Sequence, residues 1–426
     1  MKAQLEAIAD FVKKHVKADD YTLRIQAWNS HETRFAQNAI TQHIAGENIN
    51  IDLEAAFGQK TGRSSVNQAD ENSLSEMIKR AEEMASVNEP DPEYVESASQ
   101  QEIPKVQNAS QSTLELKPEQ MVELIKKSIA NAEKQNAIVS GMTEKHYMEM
   151  LTTTKNGFNG YYDITNFGHS MTLKKDETET KVSYSSKDYG AFNLEQDIEK
   201  LNAQSAALHD LQPFQPCRIP LIIRPGALIE FYMYMLWMMN RRQTDEGLTP
   251  FTGQLGKKCM GEKFSMLSTL TMPDLVTEPF SNEAVVAKET YWVRNGVLEN
   301  LPTPRYWAKL KNLEPSDPFN IYIPGENVSE EKMMQMVPEG LIVNRFWYIR
   351  PVDMKTGEVT GMTRDGVLYF KEGKVRHAVN NLRFNEIPAD TTKRILALGV
   401  SELADSAVKL PTVLVDGFNF VDSTTF

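Results

Sequence analysis

The stretch RPGALIEFYMYMLWMMNRRQTDEG, residues 224–247, is the most apolar in the chain and constrains its fold most. Methionines at 233, 235, 238 and 239 stand among Phe231, Tyr232, Tyr234 and Trp237. A membrane-spanning helix needs roughly 20 apolar residues free of unpaired charge. Here Glu230 interrupts a shorter run, and Arg224 on one side and Asn240, Arg241 and Arg242 on the other mark its ends. Methionine fills irregular gaps in a packed interior without needing a polar partner. The pattern predicts a buried core helix over 225–242, with Leu236 and Trp237 inside.

A chain of 426 residues is long enough for two domains, each with its own core. The opening MKAQLEAIADFVKKHVKADD is amphipathic and charged throughout, with Leu5, Ile8, Phe11, Val12 and Val16 on one stripe, so it does not read as a signal peptide. YTLRIQAW, ETRFAQNAI, INIDLEAAFG and KTGRSSVN then read as strands broken at NSH, AGEN and GQ. SLSEMIKRAEEMASV follows as a helix, with Ser73 as N-cap and Glu76 three residues on. After a polar linker the order helix, strands, helix returns in residues 105–212, which suggests a duplication of 1–104. The prolines of QPFQPCRIP mark the main boundary. The expected architecture is α+β, largely antiparallel sheets with flanking helices, in two domains: 1–212, and a β-rich 213–426.

A net charge of −12 gives no general attraction to nucleic-acid phosphates, so nucleic acid is not an expected partner, and neither is a membrane. Two cysteines, Cys217 and Cys259, make no disulfide framework. The expected location is cytoplasmic. Seven histidines occur, none three, four or five residues from another, so no helix turn presents two imidazoles to one metal. His31-Glu32 begins like a zincin motif, but Phe35 stands where the second ligand belongs. Phosphate loops, dinucleotide fingerprints and nucleophile elbows are missing. The acidic pairs Asp70-Glu71 and Asp245-Glu246 have nothing local to raise their pKa values.

Arginine-aromatic pairs stand out in the last third: PRYWAKL with Arg305, RFWYIR with Arg345, Trp347, Tyr348 and Arg350, and TRDG with Arg364. In a regular strand Arg345, Trp347 and Ile349 would face one way and Phe346, Tyr348 and Arg350 the other. Two readings stand. Guanidiniums that stack on rings and fork onto carboxylates suit an extended peptide ligand. The same residues also serve to staple sheets together internally.

The segments ETRFAQNAITQ, KTGRSSVNQADENSLSEMIKRAEEMASV, PDPEY, FTGQLGKK, FSNEAVVAKETYWVRNGVLENLPTPRYWAK, FNIYIPG and VDMKTGEVTGMTRDGVLYFKEGKVRHAVNNLRF, ending in a stretch to LALG, occur here in one order. In that order the chain resembles the TldD/PmbA family, long labelled modulators of DNA gyrase. Catalytic members are metallopeptidases that carry H-E-x-x-x-H on the first helix after the boundary and a cysteine near the C-terminus. The resemblance puts those positions on the apolar helix, at Ile229 or Glu230 and at Tyr234 or Met235. Glu230 echoes the glutamate, no histidine remains, and LPTVLVDGFNFVDSTTF lacks the cysteine.

The resemblance therefore implies the metal-free TldE/PmbA-like branch, a subunit with no cofactor of its own. It would work with a TldD-type metalloprotease subunit, which would hold a zinc-type ion, or as a homodimer, and would handle unfolded peptides. Two alternatives remain: a self-contained metallopeptidase with unrecognised ligands, and a stand-alone regulatory or binding protein. No catalytic residue is assigned. The peptide-binding candidates are Arg305, Arg345, Trp347, Tyr348, Arg350 and Arg364, with Glu230 as a degenerate metal-helix position.

Overall fold

The computed structural model describes residues 2–424. The N-terminal half is built on a six-stranded antiparallel sheet, order β3-β2-β1-β4-β5-β6. Its strands are β1 (Asp20–Ala36), β2 (Ala39–Phe57), β3 (Lys60–Val66), β4 (Ile138–Thr154), β5 (Asn159–Lys175) and β6 (Thr178–Ser186). Four helices accompany them: α1 (Lys2–His15), α2 (Glu71–Val87), α4 (Pro118–Lys134) and α5 (Leu194–Ala207), with one short turn of helix, α3 (Gln111–Leu114). The elements come twice in the same order about the central β1–β4 pair.

Side-chain alternation along β1 explains the layering. Tyr21, Leu23, Ile25 and Ala27 meet α1 and α2, while Phe35 on the same face joins the core under α4 and α5. All four long helices therefore cover one face of the sheet. On the other face Met150, Phe158 and Tyr162 receive Phe280, Ala284 and Val286 from the second half. Phe280 meets the rings of Phe158 and Tyr162 edge-on at 5.2 and 5.0 Å.

Two strand breaks expected from the sequence do not exist. NSH lies inside β1 and AGEN inside β2, which run 17 and 19 residues. The turn between them is Gln37-Asn38, both left-handed at φ 53° and 58°, the geometry of a two-residue type I′ hairpin. The break at Gly58-Gln59 is real. Helix α2 begins two residues before Ser73, because Asp70 is the N-cap and its carboxylate accepts the Ser73 N–H at 3.0 Å.

The C-terminal half carries an 11-stranded mixed sheet. Its strands are β7 (Arg218–Ile223), β8 (Met266–Ser268), β9 (Thr290–Arg294), β10 (Val297–Leu298), β11 (Ile321–Tyr322), β12 (Glu339–Asp353), β13 (Glu358–Lys371), β14 (Lys374–Val379), β15 (Leu382–Glu386), β16 (Ile395–Asp405) and β17 (Val408–Ser423). Its helices are α6 (Pro225–Met238), α7 (Arg241–Asp245), α8 (Arg305–Lys311), α9 (Glu330–Met336) and α10 (Pro388–Thr392). β7 pairs with both β12 and β17, so the strands β7-β12-β13-β15-β17 close into a ring. Helix α6 packs into the core beside it: Phe231 touches Phe346, Phe384 and Phe418, from three strands, at 5.8 to 6.1 Å.

The apolar segment is one helix only to Met238. Asn240 then caps α7, accepting the Gln243 N–H at 3.1 Å. Leu236 is buried at 4 % exposure, as expected, but Trp237 is 53 % exposed. The core takes Leu228, Phe231, Tyr232, Met235 and Leu236, and the remaining face of the helix points outward. Among the described residues no helix is long and apolar enough to cross a membrane.

Candidate functional site

The outward face of α6 carries Glu230, Met233, Tyr234 and Trp237 at helical spacing. Beside it runs β12, which holds the RFWYIR segment and departs from regular alternation. Tyr348 is left-handed, φ 56°, and the β12–β13 register slips between Trp347 and Arg350. Positive φ in a bulky aromatic residue is a true outlier. The bulge sends Phe346 and Ile349 into the core and turns Trp347 and Tyr348 both outward, 38 % and 51 % exposed. The strict two-sided pattern expected for this strand is thereby corrected.

Each displayed ring has its own guanidinium. Arg350 lies 4.4 Å above the Tyr348 ring and Arg364 lies 4.3 Å above Trp347, distances at which cation–π attraction operates. Arg364 stands opposite Arg345 across the β12–β13 ladder. The RDG bulge then brings Asp365, buried and left-handed at φ 59°, under both guanidiniums. Its carboxylate takes Arg345 at 2.8 Å and stands 3.7 Å from Arg364. Tyr234 donates its hydroxyl to the Ile349 carbonyl at 2.8 Å, which ties α6 to the bulge. Burial pushes the Glu230 carboxyl up, against the pull of Arg350 and Arg345. Five of the six peptide-binding candidates thus form one ledge with Glu230.

Arg305 does not join them. It opens α8, donates to the Glu96 carbonyl at 2.7 Å and takes Glu283 through its own N–H at 3.0 Å. Its place is the seam between the two halves. Arg242 lies on the same seam, gripping Glu93 through two bonds of 2.8 Å.

Sequence reasoning missed two members of the site. Asp365, the acid that orients the arginines, was hidden in a turn-like RDG. Lys181 comes from β6 in the other half of the chain and lies close enough to Arg345 and Arg364 for their charges to act on it. No local pattern in TKVSYSS marks it.

The half of the chain that holds the ring of strands and the apolar helix, residues 216–422, matches the family model described as the PmbA/TldA metallopeptidase C-terminal domain. The C-terminal half of the chain thus carries the TldD/PmbA family's C-terminal domain. The whole chain has the fold of TldE from Thermococcus kodakarensis (TM-score 0.88, 16 % identity, 98 % of this chain and 100 % of that one). It is also similar to a protein of Thermotoga maritima MSB8 provisionally described as a modulator of a DNA gyrase (TM-score 0.86, 15 % identity, 99 % and 100 % covered). A protein of Bacteroides thetaiotaomicron VPI-5482 with the same description superposes with TM-score 0.85 at 14 % identity, over 99 % and 98 % of the two chains. No curated protein matches by sequence.

The metallopeptidase description implies a metal ion, and the residues on α6 do not fit one. With Glu230 in the glutamate position of H-E-x-x-x-H, the histidine positions hold Ile229 and Tyr234. Both pack against the core, and the Tyr234 hydroxyl is already committed to Ile349. Among the described residues no group of three His, Cys, Asp or Glu is arranged to hold a metal ion. Zinc sites of catalytic type use three protein ligands of those kinds.

Proposed function

We propose that this chain is a peptide-handling subunit of a proteolytic assembly, working beside a TldD-type metallopeptidase that supplies the metal-dependent cut. The observation that carries this reading is the outward face of α6. The positions where the family's catalytic helix presents imidazoles hold an isoleucine and a tyrosine packed on the core. Around that face the chain has built a ledge of two exposed rings, each stacked with arginine. Flat aromatic surface and fixed guanidiniums hold an extended chain through its π-faces, carboxylates and carbonyls without selecting a sequence. The shared fold with TldE from Thermococcus kodakarensis is consistent with this reading.

The test mixes the purified chain with a TldD-type metallopeptidase from the same source and follows cleavage of an unfolded reporter peptide. The pair is expected to cleave, the chain alone to be inactive, and a chelator to abolish cleavage by the pair. Chelator-sensitive cleavage by this chain alone would overturn the reading in favour of a self-contained metallopeptidase.

A further inference from the structure

The ledge runs into a cavity of about 550 Å³ where the two halves of the chain meet, a size within the roughly 300–1,000 Å³ range of small-ligand pockets. β6 and α5 form one wall; the start of α6, β12 and β16 form the other. Lys181 reaches into it from β6 and Arg345 from β12. The Lys181 carbonyl accepts from Asn344 Nδ2 at 2.9 Å, which fixes the strand. Its ammonium makes no hydrogen bond or ion pair among the described residues.

The charges at this end do not balance. Lys181, Arg345 and Arg364 act on one another and share a single buried carboxylate, Asp365. This excess of positive charge sits in a chain whose net charge is −12. Of the three acids farther along the wall, Glu330 holds Arg224 through bonds of 2.8 and 2.9 Å, Glu331 bonds back to Ser329 at the start of α9, and Glu402 lies in the field of Arg224. Burial and the two guanidiniums hold the Lys181 ammonium below the ordinary lysine range. A half-buried cation with only a share in one carboxylate is unfavourable in itself. An anion from outside would complete the cluster.

We propose that this end of the cavity receives a carboxylate of an extended peptide lying along the ledge, with Lys181 and Arg345, which both line it, as its donors; Asp365 holds Arg345 in place and Arg364 stands opposite it on the ladder. The inference rests on the peptide reading, because Arg345 belongs to both places: it lines the cavity with Lys181 and stands opposite Arg364 on the ledge. The carboxylate is that of the chain terminus or of an acidic side chain.

The test is fluorescence anisotropy on the full-length chain with labelled, unstructured peptides in two pairs. The first pair ends in a free acid or an amide. In the second both members are amidated and carry Asp or Asn near the end. The charged member of one pair is expected to bind roughly tenfold tighter, the size of a charge-assisted hydrogen bond; whichever pair shows the difference names the source of the carboxylate. Lys181→Met should erase that preference, Lys181→Arg should keep it, and Trp347→Ala should weaken both members alike and leave their ratio unchanged. Without peptide, Lys181→Met should hold or raise Tm, since it removes an uncompensated charge. A fall in Tm with an unchanged ratio would make the lysine a structural group and overturn the inference. Equal binding of all four peptides would also overturn it while the peptide reading stands. Failure of every peptide to bind overturns both.

Discussion

Tyr348 holds a conformation that costs of order 1–3 kcal/mol for a non-glycine residue, and the neighbouring packing maintains it. Phe346 and Ile349 are anchored in the core on either side of the bulge, and the Ile349 carbonyl is clamped by Tyr234. The strained residue displays its ring to solvent, so the conformation serves the surface rather than the core. Tyr348→Gly should therefore leave Tm unchanged or raise it by removing the left-handed penalty, yet weaken peptide binding by removing the ring beneath Arg350. A drop in Tm with normal binding would show that the bulge exists for packing. One turn of α6 offers a sharper comparison. Leu236→Ala should destabilise by about 2–5 kcal/mol as a large-to-small change in a filled core. Trp237→Ala, at a half-exposed position, should change urea stability by well under that. Their residue types look alike in the sequence; only the register of the helix against the ring of strands separates them.

Under helix α4 the sheet buries a histidine. His169 on β5 is 1 % exposed, bonded to Thr143 Oγ1 at 2.7 Å and to Ser128 Oγ at 3.3 Å. Burial alone lowers its pKa from 6.5 to about 4. The unfolded chain takes up the proton near 6.5 and the folded chain only near 4. The contribution is thus fully present above about pH 6.5 and is lost as pH falls toward 4, about 3 kcal/mol in all. Urea titrations across that window should show the loss in the wild type and a flatter profile in His169→Gln. An equally steep profile in the variant would place the acid sensitivity elsewhere. This element also shows what a sequence discloses. The helices α1, α2 and α4 were legible because each carries a full apolar stripe facing one sheet, and α5 because Leu194, Ile198 and Leu201 begin one that Gln204 completes. The hairpin at Gln37-Asn38 was not, because the β2 arm, residues 39–45, is exposed on both faces and lacks the alternation that burial imposes. The ledge was legible as a run of arginine-aromatic pairs but not as a shape: a left-handed tyrosine, a buried Asp365 and a lysine from the other half of the chain leave no local pattern. The metal-helix positions were legible from the family's motif alone, and their incompatibility with an ion became physical only when Tyr234 was seen bonded to Ile349.

At the scale of the molecule, the two halves are joined by dispersed polar ties. Glu93 meets Arg242, the Asn108 side chain exchanges two bonds with the Thr277 backbone at 2.7 and 2.9 Å, and Asn344 meets Lys181. What the chain leaves open is the first half of β2. β3 pairs only with Ile51–Phe57, so residues 39–50 are bonded to β1 on one side and, among the described residues, to no strand on the other. Ile40 and Ile44 are exposed there. A long, unprotected strand edge bearing apolar side chains is a template for another chain unless it is covered. In the proposed assembly the partner covers this edge. Ile40→Lys with Ile44→Lys places charge on the edge without touching the core. The double variant should keep the wild-type Tm and circular dichroism while losing association in light scattering at micromolar concentration, both with itself and with a TldD-type subunit. It should lose assisted peptide cleavage in proportion. Undiminished association by the variant would move the contact surface away from β2. A wild-type chain that stays monomeric and takes up no metallopeptidase subunit would remove the assembly on which the proposed function depends.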